Sequence, residues 1–365
     1  MVDREHTFID LFSGCGGLTL GLQQAGWNCL LAVDHWKDAI ATHRHNLRDH
    51  AAENVDIHDL NERRLSKLLV QRPTWVVGGP PCQGFSTVGK RQRQDPRNEL
   101  VREFREVVRI LQPDGFLIEN VFGLKVMHFE RPLRALFEGL GYTVTALELR
   151  AADYGVPQLR RRIVFVGHRA RGRFKAQLNC VHPAAYTTVW DAIGDLPAVG
   201  PGETETSYDK EPFTEYQRRL RGSSQSLQGH TVSKHPKSLV KAISFIPDGG
   251  NRKSIPPRYQ PSSGYHNSYS RLSSTAPAVA VTSNMGKPSG TRCVHPFQHR
   301  GLTAREGARL QSFPDTFHFL GGVVSQRLQV ANAVPVLLAE ALGHALADEA
   351  RWENSAREPL LAAAG

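Results

Sequence analysis

This chain predicts an α/β fold: a doubly wound, Rossmann-like, mostly parallel sheet with a second, smaller and irregular domain. Three observations carry that prediction. Short apolar runs alternate with stretches of helical periodicity through the first 167 residues. A glycine-rich turn, Ser13 to Gly17, joins the first such run to the first helix, and an acid, Asp34, ends the next run. Beyond residue 167 helical patterns become scarce, turn residues dominate and the charge turns basic.

The elements follow in order. Thr7–Leu11 is a β-rich run, and residues 18–25 are apolar at helical spacing. Residues 29–33 form a second strand that ends at Asp34, with a helix expected over 37–46. Residues 75–77 make a third strand. Leu100, Phe104, Val107, Val108 and Leu111 recur at helical spacing until Pro113-Asp114-Gly115 stops the helix. Residues 116–118 form a strand that delivers Glu119 to its end. A helix over 133–140 stops at Gly141, and strands at 143–149 and 163–166 complete the alternation. Helices return late in the chain. Thr303 and Glu306 form a capping box that opens a helix to about Gln311. Val334, Leu337, Leu338, Ala341, Leu342 and Ala345 mark a last amphipathic helix, with Pro335 in its first turn. The expected division is 1–167 for a catalytic and cofactor-binding domain, 168–315 for a second domain, 316–353 for a segment returning to the first, and 354–365 for a disordered tail.

Composition narrows the function. A chain that is 40% hydrophobic and 22% charged has the balance of a soluble globular protein. No run of 18 apolar residues suggests a membrane span, and residues 1–10 lack a signal-type apolar core, so a cytoplasmic protein is expected. Five cysteines with no C-x-x-C pair argue against a disulfide framework or a zinc site, and no metal is implied. The formal charge is +10. Between Thr231 and Arg300 stand ten Lys or Arg and one acid, Asp248, so the excess is concentrated there. A basic, loop-rich segment suits a polyanion such as nucleic acid.

Four features carry chemistry. Cys82 sits in the turn P-P-C-Q-G-F-S, Pro80 to Ser86, directly after a strand, where a thiol can act as a nucleophile. Gly14, Gly16 and Gly17 allow a ligand close to backbone at a helix N-terminus, with Asp34 placed to take ribose hydroxyls. The spacing is not G-x-G-x-x-G, so an adenosine-type cofactor is favoured over a dinucleotide. Glu119 is a carboxyl group at a strand exit. Arg160, Arg161 and Arg162 open a strand, which puts Arg160 and Arg162 on one side, where they can hold an oxygen and favour thiolate.

Together these residues resemble the DNA (cytosine-5)-methyltransferase family of bacteria. Six motifs stand in that family's order: I-D-L-F-S-G-C-G-G-L from Ile9, P-P-C-Q-G-F-S from Pro80, E-N-V at Glu119, Q-L-R-R-R-I from Gln158, L-T-A-R-E-G-A-R-L-Q-S-F-P-D from Leu302 and A-N-A-V-P from Ala331. The resemblance implies S-adenosylmethionine as methyl donor, with S-adenosylhomocysteine as product, and a flipped-out cytosine in double-stranded DNA as acceptor. It implies Cys82 as the nucleophile that adds to cytosine C6, Glu119 as the group that engages N3 and the exocyclic amine, Arg162 at the cytosine O2 and Arg160 beside it. Phe12, Gly14, Gly16, Gly17, Asp34, His35, Asp56, Ile57, Pro80, Leu100, Asn332 and Ala333 match cofactor positions. Gln83 and Ser86 match the loop that approaches DNA. The basic region becomes a target-recognition domain, with Arg252, Arg258, His266, Asn267, Tyr269 and Arg271 as candidate readers of bases. A monomer is expected, and the resemblance leaves room for a cognate restriction endonuclease that acts separately. Ala331 replaces a glycine usual in the family, which is mild unless φ is positive there. His35 stands where an aromatic often covers adenine. Two other readings are an RNA cytosine-5 methyltransferase and a DNA-binding regulator without activity. A cysteine hydrolase is disfavoured because no histidine sits in a motif context near Cys82.

Overall fold

A computed structural model describes residues 6–81, 99–123, 129–175, 178–262, 268–290, 292–348 and 351–353. Cys82, Gln83, Ser86, His266 and Asn267 lie outside the described residues. Seven strands form one sheet: β1 (Thr7–Leu11), β2 (Asn28–Asp34), β3 (Ala51–Asn54), β4 (Trp75–Gly78), β5 (Gly115–Val121), β6 (Thr143–Arg150) and β7 (Arg161–His168). Their order is β3-β2-β1-β4-β5-β7-β6, and β7 runs antiparallel to both of its neighbours. The expected sheet is therefore present, with one inverted strand. That inversion brings the start of β7 beside the end of β5, where Arg162 pairs with Val121 and Val164 with Glu119. Glu119 lies within β5, two residues before its end, and not beyond the strand.

Eleven α-helices are described. They are α1 (Gly17–Gln24), α2 (Lys37–Asn46), α3 (Glu62–Leu68), α4 (Glu99–Leu111), α5 (Glu130–Glu138), α6 (Val189–Ile193), α7 (Glu215–Arg221), α8 (Lys237–Ile243), α9 (Ala304–Leu310), α10 (Val323–Asn332) and α11 (Val336–Ala347). The sheet is buried on both faces, as parallel strands require. Leu18 and Leu22 of α1 with Leu338 and Leu342 of α11 cover one face, over Phe8, Val77 and Leu117. Phe104 of α4, Phe137 of α5 and Leu65 of α3 cover the other, over Ile9, Val76 and Phe116. α11 packs with α1 on the sheet, and Pro335 is not in its first turn but precedes it as the N-cap. The stretch Val323–Ala347, apolar enough by composition to cross a membrane, lies mostly buried in the protein as α10 and α11.

The region after β7 holds short helices joined by loops. Its principal apolar cluster joins Val189 and Ile193 of α6 and Leu302 to Cys15 and Leu47 of the sheet half, so the two parts share a core. A buried ionic network fastens it further. The Arg309 guanidinium donates to Asp315 Oδ1 at 2.7 Å and Oδ2 at 2.6 Å, and to Asp195 Oδ1 at 3.0 Å. Arg305 and Tyr208 complete the ring around Asp315. Burial alone would raise the Asp315 carboxyl, but Arg309 and Arg305 hold it below its usual range. A small separate cluster, Ala242, Ile246, Ile255 and Tyr269, supports α8 and the turns around Arg252 and Arg258.

Candidate active site

The carboxyl ends of β1, β2, β4 and β5 open into a cavity of about 840 Å³. This is where ligands collect in open α/β sheets. After β1 the chain turns through Phe12 at φ 61° and Gly14 at φ 54°, both in the left-handed region. For Phe12 that conformation is costly, of the kind that clusters at functional sites. A Cβ on Gly14 would point into open space and narrow the cavity that Gly14 lines. Asp34, at the tip of β2, accepts from Gly14 N at 2.9 Å and from Trp36 N at 2.8 Å. Burial raises the Asp34 carboxyl, and these two amide bonds only partly offset it.

The acidic and basic groups stand across the cavity. Arg162 Nε lies 2.5 Å from Glu119 Oε1, both side chains 11% exposed. Among the described residues neither atom has a hydrogen-bond partner, and both are buried, so the contact is a close, enclosed ion pair. Arg160 is buried. It donates to Ala331 O at 3.0 Å and to Val281 O at 3.4 Å, so it braces the cavity walls. Burial and the neighbouring Arg162 lower its affinity for a proton. Arg161 points away, pairing with Glu148 and stacking on Phe122, as the alternation of a strand requires.

Phe12, Gly14, Asp34, His35, Pro80, Asn332, Ala333, Glu119, Arg160 and Arg162 thus line one cavity. Gly16, Gly17, Asp56, Ile57 and Leu100 do not line it. Gly16 is the left-handed N-cap of α1. Gly17 serves packing, since a Cβ there would lie 2.4 Å from Val334 O. Asp56 caps the turn Ile57–Asp59 through His58 N, close beside Asp34, whose carbonyl accepts from Val55 N at 3.1 Å. Leu100 is half-buried on the apolar face at the start of α4. Ala331 sits in α10 without a positive φ, so alanine is accommodated there.

Two candidate base readers are corrected. Arg271 is 4% exposed, and its guanidinium donates to the carbonyls of Ile243, Ile246, His295 and Gln298. A guanidinium committed to four carbonyls is a structural tie and cannot reach a base edge. Tyr269 is 3% exposed, inside the small cluster beneath α8. Arg258 remains exposed, over the Tyr259 ring, and Arg252 is half-buried.

Other wall residues had no separate role in the sequence reading. Asp10 is fully buried. Its Oδ2 accepts from Thr19 at 2.6 Å, while the buried Oδ1 has no hydrogen-bond partner among the described residues, and Asp10 lines the cavity. Burial pushes its carboxyl up to about 7. Such an acceptor fits a cationic ligand, and Asp34 fits hydroxyl groups, so the cavity suits a positively charged nucleoside. Asn120, the second residue of E-N-V, donates to Pro80 O at 2.8 Å and ties the cysteine turn to β5. Gln158, the first residue of Q-L-R-R-R-I, links Leu310 O, Gln311 and Val281 N. Motif membership marks both, whereas no sequence signal marked the wall at Ala280, Val281, Thr282 and Ser283.

Comparison with known proteins agrees with this geometry. Residues 6–348 match the family model for C-5 cytosine-specific DNA methylases. Type II methyltransferase M1.HphI of Haemophilus parahaemolyticus is 41% identical over 350 residues, covering 93% of this chain and 86% of the relative. Type II methyltransferase M.DdeI of Desulfomicrobium norvegicum is 36% identical, covering 92% and 86%. A solved DNA modification methyltransferase encoded within an E. coli prophage superposes with a TM-score of 0.76 at 27% identity, covering 93% of this chain and 98% of that one. An Entamoeba histolytica methyltransferase, at 13% identity and a TM-score of 0.62, shares the fold. The chain therefore belongs to the C-5 cytosine-specific DNA methylases, enzymes that transfer a methyl group from S-adenosylmethionine to cytosine in DNA.

Proposed function

We propose that this enzyme methylates one cytosine within a short duplex sequence, flipped into the 840 Å³ cavity beside Glu119 and Arg162. The observation that carries the reading is the 2.5 Å Glu119–Arg162 pair at the cavity wall, next to the turn that leads to Cys82. S-adenosylmethionine would be held by Asp10, Phe12, Gly14, Asp34, Asn332 and Ala333, and when bound it supplies an electrophilic methyl group. Cytosine C5 is a poor nucleophile towards that methyl group. Addition of the Cys82 thiolate to C6 gives an enamine-like ring whose C5 can attack. Glu119 hydrogen-bonds N3 and the exocyclic amine, where charge develops, and Arg162 holds both Glu119 and the cytosine O2. Loss of the C5 proton then expels Cys82 and restores the aromatic ring.

Residues 168–315 serve as the target-recognition domain on this reading. On this reading exposed Arg258, with Arg252, meets the DNA, and His266, Asn267, Gln83 and Ser86, which lie outside the described residues, are further candidate contacts. The enzyme works as a monomer in a bacterial cytoplasm, with or without a separate cognate endonuclease. Bisulfite sequencing of DNA from cells expressing the chain should show methylated cytosines in one short context, and Arg258→Ala should relax or weaken that preference, by about 1–3 kcal/mol if Arg258 reads a base. Labelled methyl groups found in RNA and not in DNA would overturn the reading.

Glu119→Gln keeps the shape of the group but changes its charge and its pairing with Arg162. Methyl transfer is expected to fall by about 10²-fold, with cofactor affinity little changed. Single-turnover assays with a target duplex, beside equilibrium binding of S-adenosylmethionine, separate the two. A fall confined to cofactor binding would remove Glu119 from the chemistry.

A further inference from the structure

The basic region carries an unusually fixed surface turn, Pro256-Pro257-Arg258-Tyr259. Each proline sets its own φ, and the turn closes through Tyr259 N to Pro256 O at 2.8 Å and Gln260 N to Pro257 O at 3.2 Å. The Gln260 amide donates back to the carbonyls of Arg252 at 2.9 Å and Ile255 at 2.7 Å. Arg252 in turn donates to Pro261 O at 3.1 Å. Ile255 is buried in the small cluster beneath α8. The turn is thus held at both ends, with Arg258 exposed between them.

The Arg258 guanidinium lies 4.7 Å from the centroid of the Tyr259 ring. Tyr259 is half-buried and stacks on Phe245, with centroids 5.0 Å apart and planes at 28°. Lys241 of α8 lies 5.0 Å from the Phe245 centroid on the same small module. A guanidinium over a supported ring keeps its charge but loses freedom of orientation. Its donors stay available, because Arg258 makes no hydrogen bond or ion pair among the described residues. The one acid between Thr231 and Arg300, Asp248, is occupied by Ser274 N at 2.8 Å and Ser274 Oγ at 2.5 Å. Arg271 is the opposite case, its donors spent on four carbonyls. Arg292 is also exposed but lies over no ring among the described residues.

A planar fork of free donors, preset by a ring, suits a planar pair of acceptors. The base edge that offers two acceptors side by side in the major groove is that of guanine, O6 and N7. A phosphate can be met by a mobile lysine or arginine, so a preset plane adds less there. On the reading that residues 168–315 recognise the target, we propose that this turn is a guanine reader: Arg258 donates to O6 and N7 of one guanine of the site, and Tyr259, backed by Phe245, is the positioning residue that sets its plane.

The test begins from the methylated context that bisulfite sequencing gives for the wild type. Target duplexes then carry 7-deazaguanine, which lacks the N7 acceptor, at one guanine at a time, and kcat/KM is measured on each. One position is expected to slow the wild type several-fold and to leave Arg258→Ala indifferent. Arg258→Ala should also lose about tenfold or more of its discrimination against other bases at that position. Tyr259→Phe keeps the ring and should discriminate like wild type. Tyr259→Leu should lose most of the discrimination, with binding to unrelated DNA unchanged. Should Tyr259→Leu not fold, Phe245→Leu removes the backing ring and should lower discrimination in part. An Arg258→Ala loss equal on every sequence, with a shallower salt dependence, would make Arg258 a phosphate contact and overturn the proposal. So would a 7-deazaguanine effect that persists in Arg258→Ala, or one seen at no position. Full discrimination in Tyr259→Leu would remove the positioning role. A wild type that methylates no DNA would fail earlier, at the reading of the substrate itself.

Discussion

Methyl transfer is expected to vanish in Cys82→Ala, a loss on the order of 10⁴-fold or more, because on the proposed mechanism the Cys82 thiolate supplies the covalent addition that makes C5 nucleophilic. Cys82 follows Pro80 and Pro81, which line the cavity, and Asn120 holds the Pro80 carbonyl at 2.8 Å. The anchor of the turn is therefore beside Glu119, although the cysteine itself lies outside the described residues. Asp10, Gly14 and Asp34 are untouched by the substitution, so S-adenosylmethionine should bind with an affinity within about twofold of wild type. A second measurement isolates the covalent step. In a target duplex carrying fluorine at cytosine C5, no C5 proton is available to be lost, so the wild type should remain attached to the DNA in a denaturing gel. Cys82→Ala should not. Turnover by the variant, or an adduct that survives the substitution, would place the nucleophile elsewhere.

The largest effect on stability is expected at Arg309. Its guanidinium makes five hydrogen bonds, to Asp195, Asp315 and the Ala192 carbonyl, at a site with no exposed surface. Arg309→Met removes the cation and leaves two carboxylates buried, so stability should drop by about 3–5 kcal/mol. Arg305 still reaches Asp315 and limits the loss on that side. Urea denaturation of wild type and variant measures it. The sign with pH is also fixed. Asp315 has a folded pKa below its unfolded value, so in the wild type its contribution is complete above the unfolded value near 3.8 and is lost as pH falls through the folded one. The variant should lose that acid sensitivity. A drop under about 1 kcal/mol would mean that water or a rearranged Arg305 satisfies the carboxylates. Adding Asp195→Asn to the variant should restore part of the stability, since it removes one of the uncompensated charges.

Much of the site was legible because its residues are carried by local motifs. The strand-turn-helix pattern around Gly14, the acid at the tip of β2 and the proline-flanked cysteine turn each follow from a few adjacent residues. Local propensity failed where pairing alone makes the element. β3, Ala-Ala-Glu-Asn, contains no β-branched residue and is a strand only because β2 offers it an edge. α3 was missed as well, its one buried residue, Leu65, giving no periodicity to read. Arg271 and Tyr269 were mistaken for surface groups because charge and loop composition do not report burial. In a region without long helices, an arginine can supply the hydrogen bonds that secondary structure would otherwise provide.

The sequence by itself determined the fold class, the chemistry and the residue types of the catalytic groups. Alternation of apolar runs sets a layered sheet, and a cysteine, a carboxylate and paired arginines define what can be done to a pyrimidine. Only the tertiary structure decided that the carboxylate and an arginine meet. β7 is inverted, so its first residues lie against the last residues of β5, and Arg162 arrives 2.5 Å from Glu119 across 43 positions of sequence. Strand direction depends on how the chain returns to the sheet after β6, through the turn at Ala151–Tyr154, and no local preference encodes it. The same holds for Asp10, an unremarkable strand residue whose carboxyl oxygen is left without a partner only once β1 is buried beneath α1.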